Sequence, residues 1–321
     1  MKGINRIYFG APGTGKSYKV TKDIEKIYPE FTKEGSLDSQ FVFRTTLHPE
    51  YTYNDFVGQL LPDVNGNDIT YTFQTGVFTD ALWFAEHNSY AQVFLVLEEL
   101  SRANVAAVFG DLFQLLDRDK TGTSEYAINN ALIADKVYDG RKNKKVKIPN
   151  NLTILATVNT NDQNVFVMDT AFKRRFEWEY VGTEPDQDEN VNNREITVCR
   201  QDGSTLEMSW IEFYPLLNEF ITSNMGLSED KQIGQFFIKF SGDEKFDRDQ
   251  IKNKLLQYLW EDVNTVSYDE KLFQSDLLSF GACYQRFDRN GCVFSGKFIE
   301  KLDDFLKNGK RSERDGQFSK K

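Results

Sequence analysis

Four short stretches hold residues whose types and spacing suit the handling of a nucleoside triphosphate. The first is 10-GAPGTGKS-17. Its glycines let successive backbone N–H groups turn inward onto an anion. Lys16 supplies a cation for β- and γ-phosphate oxygens, and Ser17 supplies a hydroxyl to Mg²⁺. The helix that follows would aim its N-terminal dipole at the same charge. Gly10, Ala11, Pro12, Gly13, Thr14, Gly15, Lys16, Ser17 and Tyr18 are the expected nucleotide contacts. The same spacing also occurs in glycine-rich turns that merely open a helix. Here an apolar run (Ile4, Ile7, Phe9) precedes it and a helical pattern (Val20, Ile24, Ile27) follows it, which selects phosphate binding.

The second stretch, 93-VFLVLEELSRAN-104, ends a buried run in Glu98 and Glu99. After a phosphate loop, the first acid suits the water shell of the metal and the second suits polarising an attacking water. The plain alternative is a solvated strand end. Glu98 stands where such enzymes usually carry Asp, so its carboxylate reaches one methylene further. The third stretch ends an apolar run in Asn159 and Thr160, with Asp162 beyond. An amide there can orient water against a γ-phosphate, although Asn-Thr-Asn-Asp also suits a turn. The fourth, 169-DTAFKRRF-176, is a short helix carrying Lys173, Arg174 and Arg175. Arg174 and Arg175 sit badly for their own loop and suit a neighbouring subunit's nucleotide, the alternative being a basic helix end that complements its own dipole.

These residues need a scaffold that brings strand ends together. Strand-like runs occur at 4–9, 41–47, 93–97, 152–158 and 176–181, with amphipathic segments between them. Buried strands separated by helices predict an α/β fold with a central parallel five-stranded sheet covered on both faces. Residues 1–183 are assigned to this nucleotide-binding domain. The polar stretch 184–204 is expected as a linker, 205–306 as a small helical lid domain, and 307–321 as a disordered tail. Helices in the lid are expected at 210–225, 251–263, 270–280 and 298–306.

Composition narrows the setting. The chain has 321 residues, enough for two domains, and 40% hydrophobic residues, including 27 Phe. The net charge of -10 argues against non-specific DNA binding, with 141-RKNKKVK-147 as the one basic run that could act locally, more simply a solvated loop. Cys199, Cys283 and Cys292 form no CxxC pair, which argues against a zinc site or a disulfide framework. No apolar run reaches membrane-spanning length, and the start lacks a secretory segment, so a cytoplasmic protein with no membrane partner is expected.

Taken in order, GAPGTGKS, LVLEELSRAN, ILATVNTND and DTAFKRRF resemble the motifs of an AAA+ NTPase. More narrowly, 48-HPEYTYNDFVGQL-60 and the Asn159-Thr160-x-Asp162 segment are similar to the McrB-like branch, the GTP-hydrolysing motors of modification-dependent restriction systems. The resemblance implies Mg²⁺ and GTP (or ATP), with Lys16 and Ser17 on phosphate and metal and Glu99 as catalytic base. It also implies Asn159 as sensor, Asp162 in the water network, and Arg174 or Arg175 acting in trans. Partners implied are further copies in a ring, expected as a hexamer, and a McrC-like nuclease; DNA would be met through partner chains. Departures are Glu98 for Asp, Val158 for Met, and Asn161-Asp162-Gln163-Asn164 for Ala-Asp-Arg-Ser. The loop at Gly10 leads to the expectation that no DNA-reading domain precedes the motor. Two other readings stand beside the motor: a MoxR-like ATPase that remodels protein complexes, and an assembly module locked by nucleotide that hydrolyses weakly.

Overall fold

The computed structural model describes residues 2–65, 68–160, 166, 168–186, 188 and 190–318. The chain divides into two compact units. The first comprises Met1–Gly10 and Lys16–Val181, and the second comprises Ala11–Gly15 and Gly182–Lys321.

The first unit opens with β1 (Asn5–Gly10), α1 (Lys16–Glu25) and β2 (Val42–Thr46). Next come α2 (Tyr53–Val57), a hairpin of β3 (Gly58–Asn65) and β4 (Asp68–Thr75), then α3 (Val77–His87) and β5 (Val93–Glu98). It continues through α4 (Val105–Phe109), α5 (Ala131–Val137), β6 (Leu152–Asn159), α6 (Thr170–Lys173) and β7 (Glu177–Tyr180). Five strands form one parallel sheet in the order β2-β5-β6-β1-β7. Each of the five apolar runs identified in the sequence is one of these strands. The reason is visible in β5, where all six residues are buried. Alternate side chains enter two cores: Val93, Leu95 and Leu97 join one with Ile7 and Ile154, while Phe94 and Val96 join the other with Tyr8 and Leu155. A strand covered on both faces must be apolar throughout.

The amino-terminal edge of this sheet is tied by Arg118. Its guanidinium donates to Asn5 Oδ1 and to the carbonyls of Gly122, Pro149 and Leu152 at 3.0–3.3 Å. Asn5 in turn donates to the carbonyls of Leu116 and Arg175. Burial pushes the Arg118 guanidinium down to about 10. The basic run at 141–147 lies in an exposed loop: Lys142 pairs with Asp135, Lys144 lies over the Tyr138 ring and Lys147 bonds the Glu125 carbonyl.

The β3–β4 hairpin has no counterpart among the sequence expectations. Its register places Leu60 opposite Phe73, Pro62 opposite Tyr71 and Val64 opposite Ile69 on one face. Phe73 packs on the core, whereas Leu60, Val64, Ile69 and Tyr71 are exposed.

The second unit contains an antiparallel pair, β8 (Glu195–Cys199) and β9 (Thr205–Ser209), followed by α7 (Trp210–Glu219), α8 (Glu244–Gln250), α9 (Leu256–Tyr258), α10 (Phe280–Asp288) and α11 (Gly296–Phe318). Its core gathers Trp210, Phe213, Phe220, Phe294 and Phe298. Three features differ from the sequence expectations. Strand β8 lies inside the stretch expected as a linker, because Ile196 and Val198 are buried at period two. The helix expected over 270–280 is an irregular segment whose Leu272, Phe273 and Leu277 are buried at helix-like spacing; the helix starts at Phe280, where Ser279 accepts from the Ala282 N–H. Helix α11 is continuous into the stretch expected as a disordered tail. All three cysteines are free thiols, and burial pushes the Cys283 thiol up to about 11. Among the described residues no helix is long and apolar enough to cross a membrane.

Replacing Arg118 by Met keeps the apolar stem and strands several buried acceptors. The expected loss is about 2–4 kcal/mol of unfolding free energy, read as a lower thermal midpoint by circular dichroism. A variant melting with the parent would show that this knot contributes nothing.

Candidate functional site

The carboxyl ends of β1, β6 and β5 lie side by side, and each delivers one part of the site. The loop after β1 reaches α1 through Gly13 and Gly15, whose φ angles of 77° and 86° only glycine adopts without strain. The five loop residues Ala11–Gly15 cluster with the second unit, where Gly234 N–H donates to the Pro12 carbonyl at 2.9 Å and Phe236 N–H to the Gly13 carbonyl at 2.7 Å. A side chain on Gly234 would meet the Thr14 Cα at 2.3 Å, so that approach requires glycine. Lys16 is buried and its ammonium donates to the Gly10 carbonyl at 3.1 Å. Tyr18 is exposed on α1, with Lys22 over its ring.

Glu98 ends β5 and is 9% exposed. Its Oε2 accepts from the Thr157 hydroxyl at 2.6 Å and from the Ser17 hydroxyl at 2.9 Å. Its Oε1 is buried without a hydrogen-bond partner. The next residue, Glu99, takes a left-handed backbone (φ 57°, ψ 42°). That turn sends its carboxylate toward β6, where the Asn159 amide donates to it at 3.0 and 3.3 Å. Arg102 Nε lies 3.4 Å from Glu99 Oε2. Thr157 joins the two acids, because its hydroxyl also accepts from the Glu99 N–H at 3.1 Å. Sequence reasoning missed Thr157. The available signal was a hydroxyl within an apolar strand, two residues before Asn159 and therefore on the same face.

The arginines separate. Arg175 is held inside its own unit: Nε and Nη2 bond Asp117 at 3.0 and 2.7 Å, Nη1 donates to the Ala171 carbonyl at 2.6 Å, and the guanidinium lies over the Phe113 ring. Its side chain is 9% exposed. Arg174 caps α6, which Asp169 opens by accepting the Phe172 N–H, and is exposed. Asp162 lies outside the described residues. The 48–53 segment packs a junction: His48 meets the Tyr51 ring edge-on, and Tyr53 bonds Asp111.

Among the described residues no cluster of three or more His, Cys, Asp or Glu could hold a metal alone. Mg²⁺ that arrives with a nucleotide takes most ligands from phosphate and water. One hydroxyl and one carboxylate oxygen are what such an ion asks of a protein, and Ser17 with the orphaned Glu98 Oε1 fits it.

Comparison with known proteins agrees with this geometry. The family model of the AAA domain, dynein-related subfamily, matches residues 6–176. The Type II restriction enzyme BsuMI component YdiS of Bacillus subtilis (strain 168) is 34% identical over 316 residues, covering 91% of this chain and 88% of that protein. The Type IV methyl-directed restriction enzyme EcoKMcrB subunit of Escherichia coli (strain K12) is 26% identical over 181 residues, covering 56% of this chain and 35% of that longer one. With the glycine loop, the paired acids and the Asn159 amide at adjacent strand ends, the chain belongs to the dynein-related subfamily of AAA proteins, as an McrB-like member of the restriction-system type.

Proposed function

We propose that the chain hydrolyses GTP in preference to ATP, with Mg²⁺, as the motor of a restriction system. In this reading several copies form a ring that drives a McrC-like nuclease partner, and DNA is met through partner chains. The observation that carries the hydrolytic part is the Thr157-centred cluster, which sets a metal-side acid and a water-side acid on adjacent residues beside the phosphate loop. The GTP preference and the partner are supported by the likeness to the McrB-like branch.

The residues divide the work as follows. Lys16 exchanges the Gly10 carbonyl for β- and γ-phosphate oxygens. Ser17 and Glu98 hold hydrated Mg²⁺, which when bound neutralises phosphate charge. Glu99, with its carboxylate fixed by the Asn159 amide, takes the proton of the attacking water. Asn159 helps to orient that water. Arg174 of a neighbouring copy supplies the positive charge that stabilises the transition state, while Arg175 stays bound to Asp117 and braces α6.

Replacing Glu99 by Gln should lower turnover about 10²–10⁴-fold with nucleotide affinity retained, measured by phosphate release and by titration of a fluorescent nucleotide. Unchanged turnover removes Glu99 from the base role. Arg174→Ala should lose about 10³-fold in turnover, and mixing it with Lys16→Ala should restore activity, since each variant supplies what the other lacks. Mixtures as inactive as their components refute action between subunits. GTP and ATP hydrolysis compared with and without the protein encoded beside this chain tests the motor reading; strong ATP selectivity indifferent to that protein favours remodelling of the MoxR type.

A further inference from the structure

Glu98 is held asymmetrically, and one more charged residue faces the unsatisfied side. Both hydroxyl donors, Ser17 and Thr157, converge on Oε2. Oε1 is buried and receives no hydrogen bond. A buried carboxylate oxygen left without a donor is unfavourable unless a charge answers it. Arg44 answers it. This residue lies on β2, the neighbour of β5, and its Nη1 is 3.6 Å from Glu98 Oε1. That separation is an ion-pair contact, too long for a hydrogen bond. The other end of the guanidinium touches Thr21 Oγ1 on α1 at 3.5 Å, and the side chain is 36% exposed. Arg44 is therefore close enough to neutralise Glu98 and loose enough to leave.

We propose that Arg44 is a positioning residue that stands in for the metal's charge at Glu98 Oε1 and yields that oxygen to hydrated Mg²⁺ when nucleotide binds. This rests on the Mg²⁺–nucleotide reading of the site. Two cations cannot share one carboxylate oxygen without repulsion, so Arg44 competes with the metal. Without metal, the same guanidinium shields incoming phosphates from the Glu98 charge. Arg44 thus lowers the advantage that Mg²⁺ gives to nucleotide binding, by strengthening the metal-free state and weakening the metal-bound one. The extra methylene of Glu98, compared with Asp, brings the carboxylate within reach of the guanidinium on the adjoining strand.

The test is equilibrium titration of the full chain with fluorescent GTP and ATP analogues, once in excess EDTA and once in Mg²⁺. The readout is the ratio of the two dissociation constants. In Arg44→Gln that ratio should widen about fivefold, with weaker binding in EDTA and a lower half-saturating Mg²⁺ concentration. Arg44→Lys should stay near the parent, and Arg44→Met provides a second uncharged variant if Gln lowers the melting temperature. A ratio unchanged or narrowed in the folded uncharged variants overturns the proposal. If the parent itself shows no Mg²⁺ effect on binding, the metal-site reading fails first and the proposal falls with it.

Discussion

The site is organised around one carboxylate oxygen. Glu98 Oε2 accepts the hydroxyl of Thr157 from β6 and the hydroxyl of Ser17 from α1, so a single buried atom joins β5, β6 and the helix that follows the glycine loop. Charge-assisted hydrogen bonds in a buried setting are short and directional. They fix the distance between β5 and α1 while leaving the second oxygen without a hydrogen bond. Because Thr157 also accepts from the Glu99 N–H, the same hydroxyl sets where the chain turns out of the strand. The left-handed backbone of Glu99 follows from that turn: the residue leaves the sheet abruptly and its carboxylate falls beside Asn159. Backbone in this region is costly for a residue with a side chain, and such positions gather at functional sites.

The two adjacent arginines show how neighbours in sequence acquire unlike tasks. Arg175 is enclosed by Asp117, the Ala171 carbonyl and the Phe113 ring, and it closes the last turn of a four-residue helix too short to hold itself. Arg174, one position earlier, is exposed. A braced helix end holds the exposed guanidinium beside it at a defined height and direction.

The five sheet strands were legible because double-sided burial leaves unbroken apolar runs, and the phosphate loop because its glycines serve one geometry. The β3–β4 ribbon was not legible. It buries little, and Leu60, Val64, Ile69 and Tyr71 obey a pairing register that appears only when the two strands are matched. β8 was hidden for a related reason: two buried side chains in a polar stretch do not stand out from a linker. At the site, the positions of Glu98, Glu99 and Asn159 at strand ends were legible by type and order. Thr157, Arg44 and the capture of Arg175 were not, since each depends on a partner 54 to 59 positions away or across a strand boundary. Local spacing carries no information about which distant carboxylate lies opposite.

The sheet order also governs how the chain can be made. Within its sheet β1 is translated before every other strand, yet both of its neighbours, β6 and β7, are encoded some 150 and 170 residues later. Parallel pairing over such separations is slow. Until translation passes Asn159, Ile7 and Tyr8 have no sheet to enter, and the glycine loop behind them has no rigid strand to hang from. A nascent fragment that ends before β6 therefore lacks the strand on which the glycine loop depends and offers apolar surface to chaperones.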